Sequence, residues 1–178
     1  MADLVRRAGT GRFVDGSDVV WSVAEGQKGR RWREVRSRDG IVLSSLLLET
    51  FPDRGFAHLE LSTAAGLLTL HPEADGTLHG NAVAAAGVHH VVGLPWPAGS
   101  VVVVDGSAVA IAAATWFALG AWEDRSHEVR MPIVTVSPAL DVRAGTIPGD
   151  GLSHESIDAE GLPILAGSAV WPLELEAS

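Results

Sequence analysis

The sequence predicts a mainly β chain in which an antiparallel sheet wraps around one apolar α-helix. Three observations lead there. Short apolar runs recur between turn signals at intervals of about 8–12 residues, the spacing of an antiparallel meander. Phe56–Thr63 alternates, with Ala57, Leu59 and Leu61 on one face and His58, Glu60 and Ser62 on the other, so one sheet face is expected to be buried and the other wet. The segment Ser107–Leu119 breaks the pattern: it is Ala-rich and apolar on nearly every side, and a helix of that kind has to be buried all round.

Taken in order, the strands expected are Val19–Ala24, Arg31–Ser37, Ile41–Thr50, Phe56–Thr63, Leu67–His71, Thr77–Ala84, Val88–Leu94 and Val101–Val104. Asp39-Gly40, Asp75-Gly76 and Asp105-Gly106 supply turns, because Gly takes positive φ without steric cost. Ser107 caps the helix and Gly120 stops it. The alternative is a hairpin over Asp105-Gly106, with Ser107–Ile111 as a strand. Strands then resume at His127–Ser137, Leu140–Arg143, Ser153–Asp158, Leu162–Leu165 and Trp171–Leu175, the last of them as one or two hairpins that close the sheet and remove its edges. No linker or repeat divides the chain, so residues 1–178 are read as a single domain.

Composition narrows the function. Hydrophobic residues make up 47% and charged residues 20%, with a mean hydropathy of +0.22, which excludes intrinsic disorder. There is no cysteine, which excludes disulfides, thiolate metal sites and cysteine nucleophiles. The formal charge of −9 makes nucleic acid a poor partner. The longest apolar stretch is far short of the ~20 residues of a spanning helix, and Met1–Phe13 has no apolar signal core, so no transmembrane segment is expected and the location expected is the cytoplasm. The charge is uneven: residues 1–40 hold nine of the thirteen Lys and Arg. Lys28, Arg30, Arg31, Arg33, Arg36 and Arg38 form a basic run that reads either as a solvated strand or as an anion clamp.

Chemical motifs are weak. His71, His79, His89 and His90 fall on consecutive strands, but without metal-ligand spacing, and no metal is expected. Gly106-Ser107-Ala108-Val109 lacks the second glycine of a nucleophile elbow. Asp158 and Glu160 flank a turn, where acids are common for turn reasons. Gly9-Thr10-Gly11-Arg12 is too short for a dinucleotide loop, and no cofactor is expected. Tryptophan is more informative: six Trp and four Phe stand with no Tyr, and Trp32, Trp96, Trp116 and Trp171 could line either an ordinary core or an apolar ligand cavity.

Three stretches carry a family resemblance. They are Arg30–Val35 (R-R-W-R-E-V), Phe56–Asn81 with its Asp-Gly turn, and Ile157–Glu174 (I-D-A-E-G-L-P-I-L-A-G-S-A-V-W-P-L-E). In this layout the chain resembles a bacterial family of glycolipid-binding proteins. The family usually shows a cysteine-containing stretch and an N-T-L-P segment near its helix, where this chain reads D-G-S-A-V-A-I-A-A-A-T-W-F. The resemblance implies a spiral β-roll around one helix, a dimer, and a glycolipid or lipid ligand; it brings no catalytic residue.

The function expected is therefore non-enzymatic binding of an amphiphile. Its tail would lie between sheet and helix near Trp32, Ile111, Trp116 and Phe117, and its head at Arg31, Arg33 or Arg36. A second reading is an interaction module or homodimer without a small ligand, in which exposed apolar strands form the interface. A third is a hydrolase or isomerase with a histidine base, His79 or His90.

Overall fold

The computed structural model describes residues 6–121, 130–148, 151–152, 157–165 and 169–172. Eight strands follow one another in a meander: β1 (Arg6–Arg12), β2 (Asp18–Gly26), β3 (Gly29–Arg38), β4 (Ile41–Thr50), β5 (Phe56–Thr63), β6 (Gly66–Pro72), β7 (Thr77–Ala84) and β8 (Gly87–Pro95). Each pairs antiparallel with the next. After them come β9 (Val101–Val104), α1 (Ala108–Ala121), β10 (Arg130–Val136), β11 (Val142–Pro148) and β12 (Ala169–Pro172). β12 returns to β1, giving a nine-stranded sheet in the order β12-β1-β2-β3-β4-β5-β6-β7-β8.

The sequence expectations from Val19 to Val104 fall on β2 to β9. The β3–β4 turn puts both Asp39 (φ 52°) and Gly40 (φ 79°) at positive φ, as a two-residue hairpin of matching twist requires. Alternation then sorts the residues. Trp21, Val23, Trp32, Leu46, Leu48, Leu59, Leu61, Leu68, Leu70 and Leu78 are buried on one face, while the other face is solvated. One inward residue differs from expectation. The β4–β5 register shifts at Glu49/Thr50, and this irregularity turns Phe56, rather than Ala57, into the core.

The helix reading holds and the hairpin alternative does not. Ser107 caps α1, its Oγ accepting the Ala110 N–H at 3.0 Å. Gly120 does not stop the helix; it lies inside it, and a Cβ there would stand 2.7 Å from a guanidinium nitrogen of Arg54. α1 is also the crossover between two parallel strands, β9 and β10, which with β11 form a second sheet in the order β11-β10-β9. This parallel pair was not expected from the meander pattern. Val102, Val104, Val134 and Val136 pack into the core shared with the large sheet, whereas Val101, Met131 and Ile133 pack with Ala114, Ala118 and Leu152. Burial on two sides explains the uninterrupted Val101–Val104 run.

Three further expectations are corrected. β1 was not foreseen, because Gly9 and Gly11 dilute its apolar signal. The expected strand Leu140–Arg143 starts instead at Val142 and runs to Pro148. Of the closing hairpins, the described residues keep an antiparallel bridge, Ile157 with Pro163, around the expected turn; β12 pairs with β1 rather than with β8, so the sheet is not closed. Residues 127–129, 153–156 and 173–175 of the expected strands lie outside the described residues.

Candidate functional site

β3 carries the basic run, and strand alternation divides it. Arg30, Trp32, Glu34 and Arg36 belong to the inward row, with Arg30, Trp32 and Glu34 buried; Arg31 and Arg33 are exposed on the outer face. At about 3.3 Å per residue, Arg31 and Arg36 stand roughly 16 Å apart. The run is therefore two sites at opposite ends of one strand, and Arg31, Arg33 and Arg36 do not converge on one head group.

At the Arg36 end the guanidinium is held on every side. Its Nε donates to Ser17 Oγ (2.7 Å), one Nη to Asp15 Oδ2 (2.7 Å) and the other to the Gly106 carbonyl (3.3 Å), and it stacks over the Phe13 ring at 4.4 Å. Arg38 shares Asp15 Oδ2 at 2.6 Å. The Asp15 carboxyl is held far below the usual carboxylate range, first by the Ser17 hydroxyl and N–H and then by the two arginines. Beside it, Glu34 accepts the Val109 N–H at 3.0 Å and so meets the first turn of α1. Burial nevertheless pushes the Glu34 carboxyl above its ordinary range, outweighing the hydrogen bonds from Val109 and Ser107.

Two cavities adjoin this corner. One, of about 290 Å³, is lined by Glu34, Arg36, Arg38, Asp15 and Asp105 over a floor that includes Leu46 and Leu61. The other, of about 220 Å³, is apolar, with Phe13, Ile111, Ile164 and Leu165 in its wall. Gly106 and Ser107 belong to both.

The remaining expected site residues separate. Trp32 is fully buried, edge-on to Trp116 at 5.8 Å, and its indole N–H has no hydrogen-bond partner among the described residues. Trp116 lies between two guanidiniums, Arg30 at 3.9 Å and Arg54 at 4.7 Å from its ring centre. Phe117 borders a void of about 20 Å³ between the large sheet and α1. A void of that size holds little more than a water molecule. Only Ile111 and Arg36 reach the Gly106 corner.

At the other end of β3 lies an open concavity of about 860 Å³ under the β2–β3 hairpin. Gly29 shapes it: at φ 113° its backbone sits so close to β4 that a Cβ would fall 1.8 Å from the Thr50 carbonyl oxygen. Arg31 lines it and binds Glu49 through Nε at 2.7 Å.

The described histidines do not gather into one site, although His71 and His79 face each other across β6 and β7. His90 Nδ1 meets Asn81 Oδ1 at 2.7 Å, His71 meets Glu73 at 3.0 Å, and neither His79 nor His90 lines any of these four cavities. Among the described residues, no three His, Asp or Glu side chains are grouped as a metal ion needs. No helix among them is long and apolar enough to cross a membrane.

Sequence reading missed Glu34, Asp15 and Phe13. For Glu34 the signal was present, since it shares the strand parity of Trp32; Asp15 and Phe13 lie in a loop whose partner, Gly106, is distant in sequence. Comparison with models of known protein families, with curated proteins and with solved structures finds no match to this chain, so the chemistry of these two sites is the ground on which its function has to be read.

Proposed function

We propose that this protein binds an amphiphile, a lipid or glycolipid, without transforming it, at the corner formed by Gly106 and Ser107. The observation that carries the reading is the pairing of a polar and an apolar cavity across those two residues. A hydroxyl-bearing head finds acceptors on Asp15 and Asp105 and a donor on Arg38. A tail lies along Phe13, Ile111, Ile164 and Leu165. The space between sheet and α1 is too small for it, so the tail belongs on the outside of the helix. Burial is worth ~0.8 kcal/mol per methylene, so about eight methylenes offer roughly 6 kcal/mol before the cost of association. The resemblance of the sequence to a glycolipid-binding family points to the same ligand class. Membership of that family, a sheet coiled around α1 as a spiral β-roll, and action in the cytoplasm belong to this proposal.

The test is calorimetric titration with octyl glucoside below its micelle concentration. One saturable site is expected. Ile164 is 52% exposed, so Ile164→Glu should leave the fold intact and weaken binding about tenfold or more. Absence of saturable binding, with no adduct in native mass spectra of freshly purified protein, would overturn the reading.

A second reading, a homodimer without a small ligand, is favoured by β8. It pairs only with β7 among the described strands, and Val88 (55%) and Val92 (68%) are exposed along it. An open edge of this kind is a template for pairing with a second chain.

A further inference from the structure

We infer that the concavity under the β2–β3 hairpin is an anion site for the phosphate group of an organic phosphate. The inference is independent of the amphiphile corner, which lies at the opposite end of β3. Four cations line the concavity, Arg6, Lys28, Arg30 and Arg31, against two acids, Glu25 and Glu49. Each acid is neutralised by one arginine. Arg30 holds Glu25 at 2.7 Å and also donates to the Glu160 carbonyl at 3.0 Å, while Arg31 holds Glu49.

Arg6 and Lys28 are left with no ion pair among the described residues. Two uncompensated cations thus face one concavity in a chain whose formal charge is −9. That local excess matches a phosphomonoester, which carries between one and two negative charges near neutral pH, roughly −1.5 to −2. The wall is not uniformly polar: Ala24, Phe51 and Ala57 contribute to it, and Phe51 is 48% exposed. An aromatic or aliphatic group attached to the phosphate has an apolar surface to lie on, which bare phosphate would leave uncovered. Lys28 is on an exposed turn and free to move onto the ligand, whereas Arg30 is fixed by burial. Phosphate groups of this kind are presented both by soluble phosphoesters and by lipid head groups.

The test uses the intact protein and two probes at low ionic strength. Phenyl phosphate is titrated by calorimetry or by amide shifts, and phosphatidylcholine vesicles with and without one-fifth phosphatidate are co-sedimented with the protein. Binding of phenyl phosphate identifies soluble phosphoesters as the source, and binding of phosphatidate vesicles alone identifies a lipid head group; either supports the site. The double variant Arg6→Glu with Lys28→Glu is expected to weaken the interaction about tenfold or more, and the exposed Lys28→Glu alone in the same direction by less. Ile164→Glu should leave it unchanged, which separates this site from the amphiphile corner. No binding of either probe, or binding indifferent to Lys28→Glu and to the double variant, overturns the inference.

Discussion

Glu34 sits between Trp32 and Arg36 on the inward row of β3, and its carboxyl is shared between two demands. The first turn of α1 favours the anion through the Val109 N–H and the partial positive charge of the helix end. Burial disfavours the anion and prevails, so the folded protein holds this proton to higher pH than the unfolded chain does. The contribution to stability is then fully present below the ordinary glutamate range and is lost as pH rises through the elevated value. Thermal unfolding between about pH 4 and 8 should show the wild type losing stability relative to Glu34→Gln as pH increases. Glutamine keeps an acceptor oxygen for Val109 but cannot ionise. Glu34→Ala should cost about 1–3 kcal/mol, because the Val109 N–H is left buried without a partner. A wild-type–glutamine difference that is flat in pH would exclude burial as the governing influence. At this scale the sequence is half legible: parity places Glu34 inward, but the N–H it serves lies on α1 and belongs to tertiary structure.

Composition favoured α1 over the alternative hairpin, since Ala108–Leu119 has no polar face to turn toward water. Its alanines set how near the sheets approach. Ala110 and Ala112 are fully buried, and the void beside Ala113, Ala114 and Phe117 is only about 20 Å³. Ala112→Leu should therefore destabilise the protein by about 1–3 kcal/mol in denaturant titration although it adds apolar surface, because the added carbons have no space. Stabilisation by this substitution would mean that the helix–sheet layer is loosely packed. The β9–α1–β10 crossover was less legible. Val101–Val104 reads as one more strand of a meander, and nothing local says that its partner is β10, beyond the helix, rather than β8.

For the molecule as a whole, the two ends of the large sheet are unlike. β1 is covered by β12, while β8 has no strand hydrogen-bonded beyond it among the described residues, β11 coming near it without pairing, and it carries no charged residue from Gly87 to Pro95 to discourage pairing. Two copies joined across a two-fold axis would satisfy the free edge antiparallel to itself. Because the chain has no cysteine, His90→Cys offers a clean report. Oxidation should yield a disulfide-linked dimer, and sedimentation of the wild type should show concentration-dependent association. A wild type that stays monomeric at all concentrations would remove this reading. The sites were legible only as ingredients. The basic run was visible, but the β3 alternation that splits it into two opposite sites, and the distant Gly106 that completes one of them, are properties of the assembled sheet.

The pairing of β12 with β1 has a consequence for how the chain assembles. Each hairpin from β1 to β8 joins neighbours in sequence, so its closure costs little entropy. The β1–β12 register, Arg7↔Pro172 to Thr10↔Ala169, instead joins residues about 160 positions apart. Its cost grows only with the logarithm of the enclosed length, yet it is the longest closure among the described strand pairings, and a four-residue strand has few ladder bonds to offset it. The order of folding expected from this is a local meander first, the helical crossover next, and the short strand β12 last.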